Sequence, residues 1–202
     1  MKNIIVAICG ASGSIYAVNL LKILLAQPVR VHLMVSEAGR RVMAHEVPGF
    51  ADDMAGLLTE QGAIFHEDAC LRLYLPDDHG AGPASGSFAH DGMAVIPCSM
   101  NTLASIANGI TANLIHRAAD VTLKEGRKLL LCIRETPLSL IHIDNMARAA
   151  RSGAVIMPLC PGFYFKPRTM DDLGRAMAER AAVHLGVLSD SFSQWGEESF
   201  DV

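Results

Sequence analysis

The chain has 202 residues, of which 50% are apolar and 19% charged, with a formal net charge of −4 and no basic cluster. This length suits one α/β domain, and the charge pattern argues against nucleic acid as a partner. The mean hydropathy of +0.28 is high for a monomer and favours a homo-oligomer. No run approaches the ~18 apolar residues of a membrane-spanning helix. We therefore expect a cytoplasmic protein without membrane contact.

The first half of the chain begins with alternating strands and helices. The pattern predicts strands over 3–9 and 29–36 and helices over 10–26 and 37–46. This order predicts a parallel sheet with right-handed crossovers. Residues 48–92 are less regular, with a possible helix over 50–62 and a long loop rich in Gly, Pro and Asp over 75–92. A loop of this length is usually functional or mobile.

Regular patterns return after residue 92 and continue to residue 187. They predict strands over 93–98, 128–133 and 154–159, and helices over 99–110, 112–126, 138–153 and 169–187, the last capped by Thr169. The whole pattern predicts a three-layer, doubly wound parallel sheet of flavodoxin or Rossmann type. We expect residues 1–187 to form a single domain, with 188–202 as a polar tail that packs on the site or on a neighbouring subunit.

Cysteines and histidines give no sign of a disulfide framework or a metal site. The five cysteines stand singly, and the eight histidines lack a ligand spacing. Several cysteines fall within or just after apolar runs. We interpret them as small buried apolar side chains in a reducing compartment.

The first candidate ligand contact is the turn Gly10-Ala11-Ser12-Gly13, which follows the first strand. Ligands of open parallel sheets bind at the carboxyl ends of the strands, and a glycine turn that opens a helix favours an anion. A plain strand-to-helix turn explains the motif equally well. Because Gly-x-Gly-x-x-Gly is absent and Ser36 stands where a ribose-binding acid is expected, the turn favours a mononucleotide or another phosphate over NAD.

Two further strand ends carry polar residues. Ser99-Met100-Asn101-Thr102 repeats the same chemistry at a second helix start, although Ser99 serves equally well as a plain N-cap. Arg134 and Glu135 follow an apolar strand directly, and an ordinary salt bridge between them is the simplest alternative. Pro137 and Ser139 are expected to stop the chain there and cap the next helix.

Other polar and aromatic residues are ambiguous on their own. Solvent-exposed helix faces account for four of them: Glu46, Arg117, Lys124 and Arg180. Tyr164 lies in the aromatic segment 161–167, which either fills the core or lines an apolar pocket with its hydroxyl free for an anion. Trp195, in the tail, suggests docking onto the body or onto a neighbouring subunit.

Several stretches together resemble the UbiX family of flavin prenyltransferases, over roughly residues 1–46 and 84–187. The longest and most specific is "RAADVTLKEGRKLLLCIRETPLSLIHIDNM". The others are "GASGSIYAVNLL", "SGSF", "VIPCSMNTLASIANG", "GAVIMP", "PGFYFKP" and "DDL". The resemblance implies a flavodoxin-like fold, assembly as a dodecamer, and FMN bound near subunit interfaces without a metal. It implies transfer of a dimethylallyl group from dimethylallyl phosphate to N5 and C6 of reduced FMN. The product, prenylated FMN, would serve a UbiD-type decarboxylase.

The resemblance also assigns roles to residues. It implies FMN contacts at Gly10, Ala11, Ser12, Ser36, Ser99, Met100, Asn101, Thr102 and Arg134. It implies dimethylallyl phosphate contacts at Arg117, Lys124, Tyr164 and Arg180, with Trp195 helping to close the site. Ser12, Glu46 and Glu135 would be catalytic, Ser12 by bonding flavin N5 and the two acids by proton transfer. Cations assist the departure of a phosphate, and a carboxylate or the departing phosphate serves as base.

Residues 47–83 match no pattern of that family and leave the allylic donor open. Two other functions remain as alternatives. One is a flavin-dependent decarboxylase of cysteine-type substrates, which shares "GASGSI" but carries a Pro-Ala-Met-Asn turn where this chain has Pro97-Cys98-Ser99-Met100-Asn101. The other is a non-catalytic FMN-binding subunit of a decarboxylase, for which four phosphate-binding residues would have no purpose.

Overall fold

A computed structural model describes residues 1–51 and 53–189. Its strands are β1 (Lys2–Ile8), β2 (Val29–Val35), β3 (Cys70–Tyr74), β4 (Gly92–Cys98), β5 (Leu129–Ile133) and β6 (Val155–Pro158). Its helices are α1 (Ser14–Leu25), α2 (Glu37–Glu46), α3 (Met54–Glu60), α4 (Met100–Ala107), α5 (Leu114–Lys124), α6 (Leu140–Arg151) and α7 (Met170–His184). Among these residues no helix has the length and apolar character needed to cross a membrane.

The described strands form one parallel sheet in the order β3-β2-β1-β4-β5-β6. This is the doubly wound order, and without the edge strand β3 it corresponds to the flavodoxin order. The predicted fold class is therefore confirmed. The chain reverses its direction of travel across the sheet between β1 and β4, so a crevice for ligands opens beyond the carboxyl ends of these two strands.

The sheet is buried on both faces because its central strands, β1 and β4, are largely apolar and bury side chains on both sides. Along β1, Ile4, Val6 and Ile8 face α1 and α7, whereas Ile5 and Ala7 face α4 and α5. Burying each of these isoleucine and valine side chains completely contributes roughly 1.5–3 kcal/mol. The helices therefore lie in two layers, with α1 and α7 on one side of the sheet and α4 and α5 on the other. This division decides which candidate residues lie close together.

The segment 48–92 contains regular elements that the sequence pattern only partly indicates. The possible helix over 50–62 is confirmed as α3, which Asp53 caps by accepting a hydrogen bond from Gly56 N. The strand β3 is an addition to the prediction. It pairs only with β2, and its exposed side chains do not form a continuous apolar run. An edge strand gives a weak sequence signal for this reason.

The interpretation of the cysteines holds for three of the five. Cys9, Cys98 and Cys132 are buried, whereas Cys70 and Cys160 are exposed. Cys70 begins the edge strand β3, and Cys160 follows β6 at the opposite edge of the sheet. Among the described residues, no group of three or more His, Cys, Asp or Glu side chains is arranged to hold a metal ion.

Two buried histidines lie beneath the long loop that precedes β4. The ring of Phe88 lies edge-on to His32, with 4.9 Å between centroids, and stacks near His90. His32 Nδ1 lies 3.0 Å from the Tyr74 hydroxyl. Burial lowers the pKa of His90 to about 4, and nearby Arg127 acts in the same direction. Burial, Arg72 and Arg30 likewise lower the pKa of His32. Both rings are therefore neutral in the folded protein at pH 7.

This cluster predicts a loss of stability in mild acid. Between about pH 6.5 and pH 4, the unfolded chain binds a proton at His90 that the folded protein does not, so stability falls as pH falls. Allowing for solvent screening, we expect a loss of roughly 2 kcal/mol from His90. Urea unfolding at pH 7 and pH 4.5 should show a smaller pH dependence in His90→Asn. The matched variant of exposed His79, His79→Asn, should retain the wild-type dependence, and equal dependence in both variants would contradict the assignment.

Candidate active site

The turn after β1 is closed by a carboxylate from the far end of α2. Glu46 Oε2 accepts hydrogen bonds from Gly13 N at 2.9 Å and from Ser14 N at 2.8 Å. Gly13 has φ of 118°, a left-handed conformation that glycine adopts without strain. The sequence pattern predicts an anion at this helix start. In the structure two of its N–H groups hold an anion of the chain itself, Glu46, because a carboxylate is stabilised at a helix N-terminus.

The environment of Glu46 keeps its side chain ionised. Partial burial acts to raise the pKa of this carboxyl group, but hydrogen bonds from the Ser12 hydroxyl, Ser14 and Gly13 outweigh burial, so the pKa lies below its usual value. An ionised carboxylate only accepts hydrogen bonds. The Ser12 hydroxyl must therefore donate to Glu46, which leaves its oxygen lone pairs available to accept from a ligand.

The start of α2 packs directly against the end of β1. A Cβ atom on Gly39 would lie 2.7 Å from the carbonyl oxygen of Ile8, and one on Gly10 would lie 2.5 Å from Ala38 Cβ. The two glycines thus permit a close approach that larger residues would prevent. Ser36 caps α2 by accepting from Gly39 N at 3.0 Å. As a result, Ser36 lies at the same edge of the sheet as the turn after β1.

The second predicted turn is built around an N-cap. Ser99 accepts a hydrogen bond from Thr102 N at 3.3 Å and contacts the Thr102 hydroxyl at 3.1 Å. Met100 and Thr102 are buried, whereas Asn101 is exposed. The simpler interpretation of Ser99 as a cap is therefore correct for its side chain. A ligand at this helix start would meet Asn101 and the free backbone N–H groups of the first turn.

Arg134 joins the end of β5 to the turn after β1. Its Nε donates to the carbonyl oxygen of Ser12 at 3.0 Å. Glu135 has a different partner, since its Oε1 accepts from Thr136 N at 2.9 Å. The two side chains thus have separate hydrogen-bond partners. Ser139 caps α6 as predicted, in a capping box with His142, and Thr169 caps α7 in the same way with Asp172.

Two residues near this turn were not predicted from the sequence. The half-buried ring of Tyr16 lies beside Gly13, where a Cβ atom would come within 2.9 Å of it. Burial raises the pKa of Tyr16, Cys160 adds to the effect, and Arg134 opposes it. Both side chains therefore act electrostatically on the Tyr16 hydroxyl. The one signal in the sequence was an aromatic residue in the first turn of a helix that starts at the candidate site.

Arg117 and Lys124 lie far from this cluster. Both are on α5, whose buried face packs on the side of the sheet opposite α1 and α7. Lys124 is the last residue of α5 and precedes β5, whereas Arg134 follows β5. A five-residue strand spans about 16 Å. Within one chain, Lys124 and Ser12 therefore lie at opposite ends of the sheet.

Tyr164 and Arg180 share an open cleft of about 1310 Å³ on the other side, between β6, the segment that follows it and α7. Tyr164 is 62% exposed, so its ring does not fill the core. Arg180 is exposed on α7. The structure thus brings these two residues to one cleft but separates them from Arg117 and Lys124. Trp195 and the predicted tail from residue 190 onward lie outside the described residues.

The residues at the sheet edge fit a flavin mononucleotide. Three helices of eight or more residues, α1, α2 and α4, begin there, and Arg134 adds a cation. The α1 terminus is taken by Glu46, so the start of α4 is the better place for a phosphate. This donor set suits one phosphate and one ring system, as the sequence pattern predicts.

Comparisons with known proteins identify relatives that bind flavin. The Flavoprotein family model matches residues 1–184. A protein named flavin prenyltransferase UbiX from Halalkalibacterium halodurans is 42% identical over 96% of this chain and 93% of its own. A structure of AnUbiX (PadA1) in complex with FMN and dimethylallyl pyrophosphate has a TM-score of 0.86 at 36% identity, covering 98% of this chain and 99% of the other. A dodecameric, FMN-dependent UbiX-like decarboxylase from Escherichia coli O157:H7 has a TM-score of 0.82 at 41% identity, covering 96% and 98%.

The fold and these matches define a flavoprotein of the doubly wound α/β class. Within that class, the chain belongs to the UbiX family of flavin prenyltransferases.

Proposed function

We propose that this protein is a flavin prenyltransferase, which transfers a dimethylallyl group from dimethylallyl phosphate to N5 and C6 of reduced FMN. The product is prenylated FMN, the cofactor of a UbiD-type decarboxylase. The observation that carries the proposal is the contact between Glu46 and the turn after β1, with Arg134 on the same turn. This arrangement would set an ionised acid and an oriented hydroxyl beside a flavin bound at the carboxyl edge of the sheet. A simple flavin carrier needs neither.

FMN would be held by backbone and side chains at the carboxyl edge of the sheet. The start of α4, with Ser99 and Asn101, would bind its phosphate, while Ser36 and the turn after β1 would contact the ring. When bound in reduced form, FMN supplies the nucleophilic atoms, so no side chain has to attack the allylic carbon. Met100 and Thr102 support this edge from within the core.

Ser12 and Glu46 would act together at the flavin ring. Since Ser12 donates its proton to the ionised Glu46, its oxygen is left to accept from the N5 hydrogen of reduced FMN. The pair would thus fix the position of N5 and provide a route by which its proton passes through the Ser12 hydroxyl to the Glu46 carboxylate. Proton transfer between groups held in this way contributes about 10²–10⁴ in rate.

The allylic phosphate would bind between copies of the chain. Four residues were predicted to bind it, but Arg117 and Lys124 lie across the sheet from Tyr164 and Arg180. One phosphate touches both pairs only if they come from different subunits. The exposed apolar start of α6 supports such an assembly: among its residues, Leu140 and Ile141 are each 71% exposed. Apolar side chains of this kind favour burial between subunits.

Cations around the phosphate would assist cleavage of the allylic C–O bond by neutralising the charge that develops on the leaving oxygens. The aromatic residues Phe163 and Phe165 flank Tyr164 and are exposed. They offer the apolar lining that an allylic cation requires, since water would otherwise capture it. Closing the new ring then releases a proton from C6, and Glu135 or the departing phosphate would accept it.

The direct test is anaerobic incubation of the full-length protein with reduced FMN and dimethylallyl phosphate, followed by mass spectrometry of the flavin and a phosphate assay. We expect an adduct that carries one dimethylallyl group and an equal amount of released phosphate. A flavin of unchanged mass without phosphate release would refute the proposal. Carbon dioxide release from a cysteine-containing peptide would instead support the decarboxylase alternative.

Glu135 provides a smaller and more specific test. Its carboxylate is exposed at the end of β5 and bonded only to the adjacent Thr136 N among the contacts that the structure shows. Glu135→Gln should keep FMN bound and slow turnover by about a hundredfold if Glu135 accepts the C6 proton. Flavin fluorescence measures binding, and phosphate release measures turnover. A wild-type rate would assign the role of base to the departing phosphate.

A further inference from the structure

Two arginines hold the segment 84–88 against α5 and the residues that follow it. Arg117 Nε donates to the carbonyl oxygen of Ala84 at 3.1 Å. Arg127 donates twice, from Nη1 to the carbonyl oxygen of Phe88 at 2.8 Å and from Nη2 to that of Gly86 at 2.9 Å. Hydrogen bonds from a charged guanidinium are stronger than neutral ones and fix geometry in two directions. The backbone of this segment is therefore set by arginine side chains.

The segment is also anchored at its end. Phe88 packs edge-on against His32 in the buried cluster beneath the loop, and a Cβ atom on Gly82 would lie 2.7 Å from its ring. The residues between these anchors form an exposed tip in which the hydroxyls of Ser85 and Ser87 lie 2.8 Å apart. The tip thus presents two hydroxyls on a fixed backbone.

Lys124 lies directly across this tip. A Cβ atom on Gly86 would lie 2.9 Å from Lys124 Nζ and 2.4 Å from Glu125 Oε1, so the absence of a side chain at Gly86 makes room for the Lys124–Glu125 ion pair. The ammonium group is therefore placed relative to the backbone of Gly86. A shift of the Gly86 backbone would change the space that is left for this ion pair.

We propose that Arg127 is a positioning residue for the allylic phosphate. It draws the carbonyl oxygens of Gly86 and Phe88 towards itself, so that these partial negative charges do not face an anion on the outer side of the tip. The outer side then presents two serine hydroxyls and Lys124, which pairs with Glu125. The hydroxyls and the ammonium group are the donors that a phosphate would meet there. The hydrogen-bond donors of Arg127 are bound to the backbone carbonyls of the tip. Arg127 therefore affects the phosphate indirectly, through Lys124. The inference rests on the proposed function, in which Lys124 and Arg117 bind the phosphate.

The test separates binding of the two substrates. In Arg127→Gln, the KM for dimethylallyl phosphate should rise about tenfold, while kcat at saturation and the KM for reduced FMN stay within about twofold. Arg127→Lys, which restores the charge and one of two bonds, should lie between Arg127→Gln and wild type. The inhibition constant of inorganic phosphate should rise in parallel. Lys128→Gln is the matched control, since the neighbouring Lys128 Nζ bonds to the carbonyl oxygen of His184 instead.

Each outcome decides a different point. An unchanged KM for dimethylallyl phosphate in Arg127→Gln would overturn the inference, as would an equal rise in the KM of both substrates, which indicates general loss of structure. If Arg127→Gln does not fold, Arg127→Lys decides by the same two constants. Wild-type protein that forms no prenylated flavin would refute the proposed function itself. If instead the wild-type protein forms prenylated flavin and the Arg127 variant binds dimethylallyl phosphate normally, only the role of Arg127 is refuted.

Discussion

Glu46→Gln is expected to lower turnover by about a thousandfold while the protein still binds FMN. The amide keeps the size of the carboxylate and one accepting oxygen, so the cap on Gly13 N or Ser14 N survives in part. It loses the negative charge, and its NH₂ group donates where the carboxylate accepts. The Ser12 hydroxyl then accepts a hydrogen bond from the new amide and cannot accept from N5 in the same orientation. Stopped-flow phosphate release under anaerobic conditions measures the loss.

The same helix offers a matched control. Glu37 lies at the start of α2, is exposed and pairs with Arg41, so Glu37→Gln removes the same charge without touching the site and should turn over like wild type. Because hydrogen bonds lower the pKa of Glu46, the wild-type enzyme has this acid ionised above its usual pKa of about 4.5. Acidification should therefore reduce turnover only below that range. A normal rate in Glu46→Gln would exclude both the relay and the orienting role.

The buried strands were predictable because their signal lies in consecutive residues of the sequence. Runs such as 93–98 and 128–133 are largely apolar, and a strand covered on both faces accommodates that pattern. The strand β3 was not predictable in this way, because an edge strand with Arg72 at its centre does not produce a continuous apolar run. Helix starts were also predictable from neighbouring residues, since Ser139 and Thr169 cap their helices as expected.

Only part of the site was predictable, because some of its contacts join residues that are far apart in the sequence. The turns after β1 and β4 follow strands directly, so the strand prediction placed them at one edge. Glu46 reaches Gly13 only because α2 packs back over the end of β1, which depends on the close approach of Gly39 to Ile8. Periodicity alone indicates an ordinary exposed helix end at Glu46. The resemblance to UbiX proteins assigned it a role, and the structure supplies the contact.

Mixing two inactive variants is expected to restore activity if the phosphate site lies between subunits. Lys124→Ala and Arg180→Ala should each lose about a hundredfold or more in turnover, since each removes a cation from the phosphate. The structure places these residues on opposite sides of the sheet. In a random mixed oligomer, about one site in four then receives both wild-type residues from different copies. Co-expressed, differently tagged variants purified through both tags should show about a quarter of wild-type turnover.

Arg117→Ala gives the control that makes this result specific. Arg117 and Lys124 lie on the same helix, α5, so one copy supplies both to a given site. In a mixture of Arg117→Ala with Lys124→Ala, every copy lacks one of the two, and no site is complete. Activity should therefore stay at the level of the single variants. Equal recovery of activity in both mixtures, or no recovery in either, would contradict a site shared between copies. A shared site restores activity only when the two substitutions lie on opposite sides of the sheet.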